Sequence, residues 1–359
     1  MKIIIITGPT GGHFLPGVAI GEMLKEYFEI RFFVPKREYI IRYLEKKNFQ
    51  FRIIPFVKIT KKNFFFSIFK LFYLIVFSVI LFIKEKPKIV IGTGSYVCVP
   101  FIIGAKILFK KIIIHEQNYL PSKTTKILSP IANFIFLTFP YTNRLPLKKC
   151  FITGFPLISD YKINLKKEDV RKEIGLKEMK TILVLGGSQG ASFINKLILN
   201  NLDYFKKKGF QILHIAGKDK DYLEEKFKEN GIEGKVYEFS YEMNKLYSAV
   251  DFVICRAGAG TIVEIIEKKI PAFLIPYPFA GGHQIKNAEY LSKIGCVFFI
   301  EEKKLNIKEF PYLFDKFLYE SSNIIENLKK IKLSDNGKIK EIILELTYKH
   351  KNGRNKRIY

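Results

Sequence analysis

Tryptophan is absent from this chain of 359 residues, cysteine occurs four times, and 60 lysines and arginines far outnumber the 34 acidic residues. The cysteines are Cys98, Cys150, Cys255 and Cys296. They are scattered and form no Cys-x-x-Cys pair, so neither zinc ligation nor a disulfide framework is indicated, and a reducing cytoplasm is the simplest location. The first residues, Met1–Gly12, lack the apolar length and the cleavage site of a signal peptide.

The shortage of acidic residues leaves a net charge of +26, which indicates an anionic partner such as nucleic acid, anionic lipid or a phosphorylated substrate. No RNA- or DNA-reading motif accompanies the charge, so nucleic acid is not expected. The last segment, Lys349–Tyr359, is basic without an acid. We predict a frayed tail there, with contact to anionic lipid headgroups as the functional alternative. A hydrophobic content of 48% excludes global disorder.

The segment Asp251–Ala288 has the pattern of a nucleotide-binding unit. An apolar strand, Phe252–Cys255, runs into Ala257–Gly260, where glycines allow a tight turn and a close approach of the backbone to a ligand. Thr261 then begins an apolar helical periodicity, with Glu264 one turn inside it. The helix N-terminus is therefore suited to phosphate, and the carboxylate is suited to ribose hydroxyls.

A second apolar strand, Pro271–Pro276, leads to a Gly-Gly loop and then to His283–Ala288, which reads His-Gln-x-x-Asn-Ala. The order of strand, glycine loop, internal glutamate, strand and polar loop predicts a pocket for a nucleotide diphosphate. The alternative is an ordinary βαβ unit in which the glycines only make turns.

Two segments half a chain apart resemble each other. Ile4–His13 and Ile182–Ala191 each contain an apolar strand, then Gly-x-(Thr/Ser)-x-Gly, then the start of a helix. Such a segment opens a doubly wound α/β domain whose ligand lies at the carboxyl end of the strand. The fold class is therefore α/β, with two Rossmann-like doubly wound domains predicted to face one another across a cleft.

The first domain is predicted to span 1–156, with a hinge at Thr153–Pro156, and the second to span 157–323. A terminal helix from about 324 to 348 could return to the first domain. Alternating helices fill the gaps between strands, as a parallel sheet requires. Further strands are expected near Arg31–Val34, Phe51–Pro55, Ile89–Ile91, Ile112–Ile114, Phe134–Leu137, Thr181–Leu185, Gln211–Ile215, Val236–Phe239, Phe252–Cys255, Ala272–Ile275 and Val297–Ile300.

Phe64–Ile83 is an apolar run of bilayer-spanning length that contains one charge, Lys70. A span would place two halves of one sheet on opposite sides of a membrane, so we predict a crossover helix with a surplus apolar face. Lysines flank the run on both sides, so the helix either docks in a membrane interface or is simply buried in the core. The flanking lysines are Lys61, Lys62, Lys84, Lys86 and Lys88.

The first glycine loop, Gly8–His13, could bind a dinucleotide, but it lacks Gly-x-Gly-x-x-Gly. The second strand ends in Pro35-Lys36-Arg37 without an acidic residue, which argues against NAD. His13 stands at the junction of loop and helix, where a neutral imidazole could act as a general base. The alternative is a histidine that caps or packs the helix.

Two further polar segments follow predicted strands. His115–Asn118 places four polar side chains at a strand end, an arrangement that is costly unless they hydrogen-bond a ligand or a loop. It is not a zinc motif, because no second histidine follows at helical spacing. Gly92–Tyr96 could wrap an anionic group or form a plain turn.

Together these motifs resemble the MurG family of peripheral-membrane N-acetylglucosaminyltransferases, which convert lipid I to lipid II in peptidoglycan synthesis. They occur in the family's order over roughly residues 1–300, and the family has the GT-B architecture of two Rossmann-like domains. The matching segments are Thr10–His13, His115–Asn118 with Pro121, Gly186–Ala191, Cys255–Ala259 through Glu264, and Gln284 with Asn287 and Ala288.

The resemblance implies that the second domain binds UDP-GlcNAc and that the first domain faces the acceptor and the membrane, with His13 as the favoured base. The implied donor contacts of the second domain are Ser188 on the diphosphate, the backbone near Ser240 on uracil, Ala259, Gly260 and Thr261 at the α-phosphate, Glu264 on ribose, and Gln284 on the sugar hydroxyls. Ile262 and Val263 belong to the same donor-binding segment, without a separate role. In the first domain, Thr10, Gly11, Gly12 and Asn118 would close over the donor.

The implied reaction is inverting: the 4-hydroxyl of the MurNAc of undecaprenyl-linked lipid I attacks the anomeric carbon of GlcNAc, giving a β-1,4 linkage in lipid II, and UDP. Backbone dipoles would stabilise the departing diphosphate, so no cofactor and no tightly held metal is expected. The implied partners are UDP-GlcNAc, the undecaprenyl-linked acceptor and an anionic membrane surface. The implied location is peripheral, on the cytoplasmic face of the inner membrane.

Three positions depart from the family pattern. Where the family has Asn-Pro-x-Arg, this chain has Phe155–Ile158, so the arginine expected at the donor phosphate is missing. We hypothesise that Lys218 or Arg144 replaces it. The Gly-Gly-Tyr loop reads Gly94–Tyr96 with serine in the middle, and the family's Pro-Gly reads Pro121-Ser122.

Four other functions remain open from the sequence. Two are enzymes of the same architecture, a glycosyltransferase that acts on diacylglycerol and a UDP-sugar 2-epimerase, although an epimerase does not need the apolar face of Phe64–Ile83. The third is an inactive nucleotide-sugar-binding scaffold, which the loss of arginine at Ile158 makes conceivable. The fourth is an NAD-dependent oxidoreductase.

Overall fold

The computed structural model describes residues 1–56, 64–140, 145–186, 192–335 and 337–348, and the chain forms two compact units. Unit 1 comprises Met1–Ser159 and the segment from Ser334 onward, and unit 2 comprises Asp160–Leu333. The sequence-based division instead placed the boundary after residue 156 and ended the second domain at 323. Unit 2 is thus an insertion within the chain of unit 1.

Unit 1 contains a seven-stranded sheet in the order β3-β2-β1-β4-β5-β6-β7, and each adjacent pair is parallel. Its central strands are almost wholly apolar because helices cover both faces of a parallel sheet. The three-residue strand β7 was not predicted. The strands are β1 Lys2–Ile6, β2 Glu29–Val34, β3 Gln50–Ile53, β4 Ile89–Gly92, β5 Lys111–Glu116, β6 Phe134–Leu137 and β7 Cys150–Ile152.

The helices of unit 1 alternate with its strands, as right-handed parallel crossovers require. The α1 helix lies beneath the first glycine loop, and its Phe14 packs edge-on against Tyr39 and Tyr43. A short 3-10 helix, Leu147–Lys149, precedes the last strand. The helices are α1 Gly11–Leu24, α2 Glu38–Lys46, α3 Phe64–Glu85, α4 Cys98–Ile107 and α5 Lys123–Leu128.

The α3 helix connects two strands of one sheet and packs against α4, where the Ser78 hydroxyl donates to the carbonyl of Pro100 at 3.1 Å. Its stretch Ser67–Glu85, with mean hydropathy 2.1, is long and apolar enough to cross a bilayer, and 28% of that stretch is buried in the protein. Because β3 and β4 belong to one sheet, α3 lies along that sheet as the predicted crossover helix.

The outer face of α3 is apolar and exposed, which confirms the predicted surplus apolar face. Among the described large apolar side chains of α3, Phe69 is the most exposed, at 74%. The face that we call the α3 apolar face consists of Ile68, Phe69, Phe72, Tyr73, Val76, Ile80 and Ile83.

Unit 2 contains a six-stranded parallel sheet in the order β10-β9-β8-β11-β12-β13, which repeats the order of the first six strands of unit 1. This 3-2-1-4-5-6 order is that of the doubly wound dinucleotide-binding fold. The prediction of two Rossmann-like α/β domains is therefore confirmed. The strands are β8 Lys180–Leu185, β9 Phe210–Ile215, β10 Gly234–Tyr237, β11 Phe252–Cys255, β12 Ala272–Leu274 and β13 Phe298–Phe299.

The helices of unit 2 pack on this sheet around a cluster of phenylalanines in which Phe314 contacts the rings of Phe205, Phe210 and Phe273. Edge-on and tilted ring pairs of this kind stabilise a core beyond their buried area. The helices are α6 Lys167–Glu173, α7 Ser192–Leu199, α8 Leu202–Lys207, α9 Lys220–Glu229, α10 Met243–Ala249, α11 Ala259–Lys268, α12 His283–Lys293 and α13 Phe310–Lys330.

The chain then returns to unit 1 and ends in α14, Lys338–Tyr348, which packs against α1. The prediction of one helix over 324–348 is wrong, because α13 stops at Lys330. Between the two helices, Ser334 forms a parallel bridge with Phe155, and the N–H of Asp335 donates to the Phe155 carbonyl at 2.8 Å. These bonds to Phe155, which follows β7, replace helical hydrogen bonds.

In each unit the strand order reverses beside the first strand, and ligands of such sheets bind outside the carboxyl ends of the strands at that switch point. In unit 1 the switch lies between β1 and β4, and in unit 2 it lies between β8 and β11. The first predicted glycine loop follows β1 and is therefore at a switch point; of the second, which comes after β8 in the sequence, residues 187–191 lie outside the described part of the chain.

Candidate functional site

The switch point of unit 1 brings His13 against Thr93. Nδ1 of His13 lies 3.0 Å from the Thr93 carbonyl oxygen, and the Thr93 hydroxyl donates to the His13 carbonyl at 2.6 Å. Thr93 is fully buried, and its N–H donates to Ile6 at the end of β1. The loop after β4 therefore fixes both the backbone and the ring of the predicted base, a role for Thr93 that the sequence did not reveal.

The hydrogen bonds around Gln117 define which nitrogen of each histidine carries the proton. A carbonyl oxygen only accepts, so Nδ1 of His13 is the protonated nitrogen, and it also faces Oε1 of Gln117 at 3.2 Å. At the other end, Nε2 of His115 lies 3.3 Å from the Gly154 carbonyl and carries its proton. Nδ1 of His115 then accepts from Nε2 of Gln117 at 3.0 Å.

The hydrogen bonds to His13 and those to His115 require the same orientation of the Gln117 amide. In the neutral His13 ring the lone pair is consequently on Nε2. Burial lowers the pKa of His115 to about 4, so that ring stays neutral at physiological pH. The arrangement fits a histidine held in one tautomer for proton abstraction by Nε2.

Glu116 organises the loop that carries Asn118. Its carboxylate is buried and accepts from the N–H and the side-chain amide of Asn118, at 3.0 and 3.2 Å. It also accepts from the N–H of Ser122 at 2.9 Å and from the Thr125 hydroxyl. Ser122, which stands where the family has glycine, caps α5 by accepting from Thr125 N–H. Of the four predicted polar residues, three are buried, and Asn118 alone is half-exposed.

The loop after β1 leaves space beside two of its three glycines, Gly11 and Gly12. A Cβ added at Gly11 or Gly12 would meet no atom of the described residues within 4 Å, while one at Gly8 would lie 2.6 Å from Cβ of Ser95. Thr10 is the N-cap of α1 and is half-exposed. Contacts of Thr10, Gly11, Gly12 and Asn118 with the donor stay a prediction.

The serine in the family's Gly-Gly-Tyr loop adopts a backbone conformation that favours glycine. Ser95 has φ of 72°, and Gly94 before it has φ of 83°. A left-handed conformation costs a non-glycine residue about 1–2 kcal/mol. A Cβ at Gly94 would lie 3.0 Å from Nδ1 of His13, so this glycine is required for the close approach of the loop to the histidine.

In unit 2 the N-terminus of α11 follows β11 at the switch point, with Gly258 as its N-cap. The first N–H groups of a helix have no partner within it, and here Ala259, Gly260 and Thr261 supply them without an acidic side chain in that turn. Ile262 and Val263 are buried, and Ile262 N–H donates to the Gly258 carbonyl, so their side chains pack beneath the turn. Their contact with the donor stays a prediction.

Glu264 lies one turn into α11 and is 9% exposed. The Tyr247 hydroxyl donates to its Oε2 at 3.0 Å. Burial raises the pKa of the Glu264 carboxyl, and hydrogen bonds from Tyr247 and Tyr161 act in the opposite direction. The predicted ribose contact is therefore a buried carboxyl group bound by Tyr247, a residue that the sequence did not identify.

The loop after β12 is fixed to the same switch point. Oε1 of half-buried Gln284 accepts from the N–H of Tyr277 at 2.9 Å. Asn287, fully buried, donates to the Ala257 carbonyl at 3.2 Å. Arg256 donates to the Ile275 carbonyl at 3.0 Å. The Gln-x-x-Asn spacing thus joins α12 to the turn before α11.

The remaining predicted site residues make fewer contacts that bear on a ligand, and some of them are described by their exposure alone. Ser240 is half-exposed after the edge strand β10, where its hydroxyl accepts from Glu242 N–H at 3.1 Å. Lys218 is exposed after β9 and lines a surface pocket with Tyr237. Ile158 is buried. Ser188 and Arg144 lie outside the described residues, as do Lys61, Lys62 and the segment Lys349–Tyr359.

Among the residues that the structure describes, no group of three or more His, Cys, Asp or Glu side chains is arranged to hold a metal ion.

Two protein families match the chain. Residues 3–137 match the glycosyltransferase family 28 N-terminal domain, and residues 181–342 match the glycosyltransferase family 28 C-terminal domain. The two matches contain both switch points described above.

Curated relatives match over nearly the full length. A protein of Prochlorococcus marinus (strain MIT 9312) is 34% identical over 99% of this chain and 94% of its own. A protein of Aquifex aeolicus is 34% identical over 91% of this chain and 93% of its own. Both are named UDP-N-acetylglucosamine–N-acetylmuramyl-(pentapeptide) pyrophosphoryl-undecaprenol N-acetylglucosamine transferase.

Solved structures share the fold. MurG of Acinetobacter baumannii aligns with a TM-score of 0.73 at 21% identity, over 97% of this chain and 99% of that one. A UDP-GlcNAc 2-epimerase from Neisseria meningitidis, bound to UDP-GlcNAc, aligns with a TM-score of 0.69 at 12% identity, over 97% and 100%. The fold alone therefore does not separate transferase from epimerase, whereas the sequence relatives do. The chain belongs to glycosyltransferase family 28 and, within it, to the MurG family.

Proposed function

We propose that this chain transfers GlcNAc from UDP-GlcNAc to the 4-hydroxyl of the MurNAc of an undecaprenyl-linked acceptor, giving lipid II and UDP. The observation in the structure that carries the proposal is the His13–Thr93 contact, which leaves Nε2 of His13 as the basic nitrogen at a switch point. Relatives named for this reaction, at about one-third identity over nearly the whole chain, support the choice of donor and acceptor.

The chemistry needs one base and one site for negative charge. Nε2 of His13 takes the proton of the acceptor hydroxyl. At the same time, the oxygen of that hydroxyl forms a bond to the anomeric carbon from the face opposite the leaving group. The bond from that carbon to the diphosphate oxygen breaks, and UDP leaves with the bonding electrons. Attack from the opposite face inverts the α-linked sugar to β.

Unit 2 is suited to the donor. The N–H groups of Ala259, Gly260 and Thr261 offer a partial positive charge to the diphosphate, and such fixed dipoles stabilise the charge that develops on a leaving group. Glu264 would accept from the ribose, Gln284 would bind the sugar hydroxyls, and the backbone near Ser240 would bind uracil. These assignments, with Ser188 on the diphosphate, remain proposals.

We further propose that the α3 apolar face docks on the cytoplasmic side of the inner membrane. Phe69 and Phe72 are about two-thirds or more exposed, which is unusual for large apolar side chains on a protein that does not meet another apolar phase. Lys70, Lys84 and Lys86 are exposed on or beside the same helix and would meet anionic headgroups. A lipid-linked acceptor is then presented at the surface on which the enzyme rests.

The test is an incubation of the full chain with UDP-GlcNAc labelled in the sugar and a lipid I analogue in detergent. A labelled disaccharide-lipid and an equal amount of UDP are expected. Parallel incubations contain diacylglycerol as the acceptor or no acceptor. Label on diacylglycerol, or conversion of the donor to its 2-epimer without acceptor, would replace the proposal, and donor binding without any product would favour an inactive scaffold.

A further inference from the structure

The turn between β2 and α2 carries two cations that the proposed reaction does not yet use. Lys36 and Arg37 follow the end of β2, and both are exposed. In the part of the chain that the structure describes, neither side chain forms an ion pair, and Glu38, the acidic residue next to the turn, is paired with Arg42 instead. The turn therefore presents two positive charges that no carboxylate compensates.

This turn is attached to the loop that carries His13. The hydroxyl of Tyr39, in the first turn of α2, donates to the Pro9 carbonyl at 2.6 Å. The Tyr39 ring packs edge-on against Phe14, the residue after His13, at a centroid distance of 6.1 Å. Burial raises the pKa of Tyr39 to about 12, and the charge of Arg37 acts in the opposite direction, which places that charge close to the phenol. Arg37 is thus held beside the loop after β1.

The order of the strands sets these cations and the proposed base on opposite sides of that loop. Strands β2 and β4 flank β1 on either side. The His13 ring is directed to the β4 side, where its Nδ1 contacts the Thr93 carbonyl, whereas the two cations follow β2. The loop itself is not bulky, because a Cβ added at Gly11 or Gly12 would meet no atom of the described residues within 4 Å. A ligand therefore has room to lie across the loop, from the base to the cations.

The proposed acceptor requires a base and an anion-binding group at opposite ends of one sugar. The acceptor that the relatives' names specify carries a pyrophosphoryl group. In such a molecule the diphosphate is joined to carbon 1 of MurNAc, across the pyranose ring from the reacting 4-hydroxyl. Because the diphosphate of the donor is assigned to α11, the second diphosphate requires a second site. A guanidinium binds phosphate oxygens in a bidentate manner, and an ammonium adds a point charge.

We propose that Arg37, together with Lys36, binds the diphosphate of the lipid-linked acceptor while the 4-hydroxyl of the same acceptor lies at Nε2 of His13. The inference rests on the proposed transfer of GlcNAc to an undecaprenyl-linked acceptor. Binding by these cations makes the enzyme select a MurNAc that is joined to a diphosphate over a neutral MurNAc glycoside. The basic turn that argues against NAD in the sequence is thereby assigned a ligand.

The experiment compares two water-soluble acceptors that differ in charge: a short-chain lipid I analogue with its diphosphate, and a glycoside in which a neutral linker replaces the diphosphate. The ratio of their kcat/KM values is measured for the full chain, for Arg37→Gln and for the double variant Lys36→Gln, Arg37→Gln. The unaltered protein should prefer the diphosphate acceptor. The double variant should lower this preference at least about tenfold, the loss typical of a hydrogen bond between charged groups, and Arg37→Gln should account for most of it.

Arg42→Gln is the matched control for Arg37→Gln, because it also removes one exposed positive charge from this region, but from a side chain that is paired with Glu38. That variant should keep the full preference, which separates direct binding from a general loss of charge. If the neutral glycoside is not turned over, calorimetry of the diphosphate acceptor with enzyme saturated by UDP replaces the ratio. The dissociation constant should then rise about tenfold in the double variant and stay unchanged in Arg42→Gln.

The same data separate this inference from the proposed function. If the unaltered protein transfers GlcNAc to the diphosphate acceptor and the double variant keeps the full preference, the inference fails while the proposed function stands. An equal loss of preference in Arg37→Gln and Arg42→Gln would also overturn it. If the unaltered protein transfers GlcNAc to neither acceptor, the proposed function fails, and the inference fails with it.

Discussion

Nδ1 of His13 shares its proton between the Thr93 carbonyl at 3.0 Å and Oε1 of Gln117 at 3.2 Å. The Thr93 carbonyl also accepts from Nε2 of Gln117 at 2.8 Å, so a single buried oxygen orients both side chains. Because an acceptor-only oxygen is at the centre, neither ring flip nor amide flip is compatible with these contacts. The structure therefore assigns a tautomer as well as a position to the proposed base.

Replacing the base should slow the chemical step without weakening the binding of the donor. His13→Ala is expected to lower kcat about 10²–10⁴-fold, the range for general-base catalysis, with UDP affinity by calorimetry unchanged. Tyr39→Phe is the control, because the Tyr39 hydroxyl donates to the Pro9 carbonyl of the same loop at 2.6 Å. Its kcat should remain within about threefold. A near-normal rate for His13→Ala would make the histidine a structural residue.

Removing the Gln117 amide should disturb the tautomer. Long-range nitrogen–proton NMR spectra of the unaltered protein are expected to show His13 protonated at Nδ1 and His115 protonated at Nε2, with His13→Ala providing the assignment. In Gln117→Leu, His115 loses its donor and His13 loses one acceptor, so mixed tautomers and a kcat lower by about tenfold are expected. Finding His13 protonated at Nε2 in the unaltered protein would refute the arrangement.

Membrane attachment should depend on the α3 apolar face. The double variant Phe69→Ser, Phe72→Ser is expected to reduce sedimentation with vesicles that contain anionic lipid at least about tenfold, since each phenylalanine contributes about 1.5–3 kcal/mol when fully buried. Turnover of a water-soluble acceptor should be unaffected. The matched control replaces two exposed tyrosines of unit 2, Tyr312→Ser and Tyr319→Ser. Equal loss of vesicle binding in both pairs would argue against a specific docking face.

The cation that replaces the family's arginine can be tested at Lys218. If Lys218 binds the donor phosphate, Lys218→Ala should raise the KM for UDP-GlcNAc about tenfold with little change in kcat. Lys220→Ala is the neighbouring control, because Lys220 instead pairs with Asp221 and Glu224. An unchanged KM for Lys218→Ala would leave Arg144 as the remaining hypothesis.

Two buried histidines should make the fold sensitive to acid. Burial lowers the pKa of His115 to about 4 and that of His214 to about 3, from 6.5 in each case. A lowered histidine pKa means that the unfolded chain binds more protons, so the stabilisation is complete above pH 6.5 and declines as the pH falls toward these values. Each histidine should contribute a slope of up to about 1.4 kcal/mol per pH unit in this window.

The measurement is urea unfolding at several pH values between 7.5 and 4.5, with the transitions of the two units followed separately. His115→Gln should flatten the slope of unit 1 only, and His214→Gln that of unit 2 only. Comparison with each variant is needed in unit 2 because the raised pKa of Glu264 contributes a slope of opposite sign. Identical slopes in all three proteins would contradict the prediction.

Much of the fold could be predicted because its signals are local. Apolar runs such as Ile112–Ile114 are buried in a parallel sheet, and in the sequence a glycine-rich segment follows the first strand of each unit. The three-residue edge strand Cys150–Ile152 is too short to give a pattern. The break between α13 and α14 depends on hydrogen bonds to Phe155, which is distant in sequence.

The candidate site was predicted by residue type more fully than by role. Glycines, His13 and Glu264 belong to sequence patterns that indicate a ligand site. The roles of Gln117, Tyr161 and Tyr247 depend on contacts between strands and helices that are distant in the sequence, so the sequence did not indicate them. The sequence placed His115–Asn118 at a strand end, but it could not show that Glu116 organises the loop internally. It also did not show that Ser95 has positive φ.

The insertion of unit 2 between Ser159 and Ser334 has a consequence for biosynthesis. The ribosome completes every strand of unit 1 before it begins unit 2, yet α14, which packs on α1 and places Lys340 over the ring of Tyr27, is synthesised only after unit 2. The first segment of unit 1 therefore lacks the contacts of one helix until unit 2 has been synthesised. Deletion of α14 would consequently damage the unit that the N-terminal segment forms.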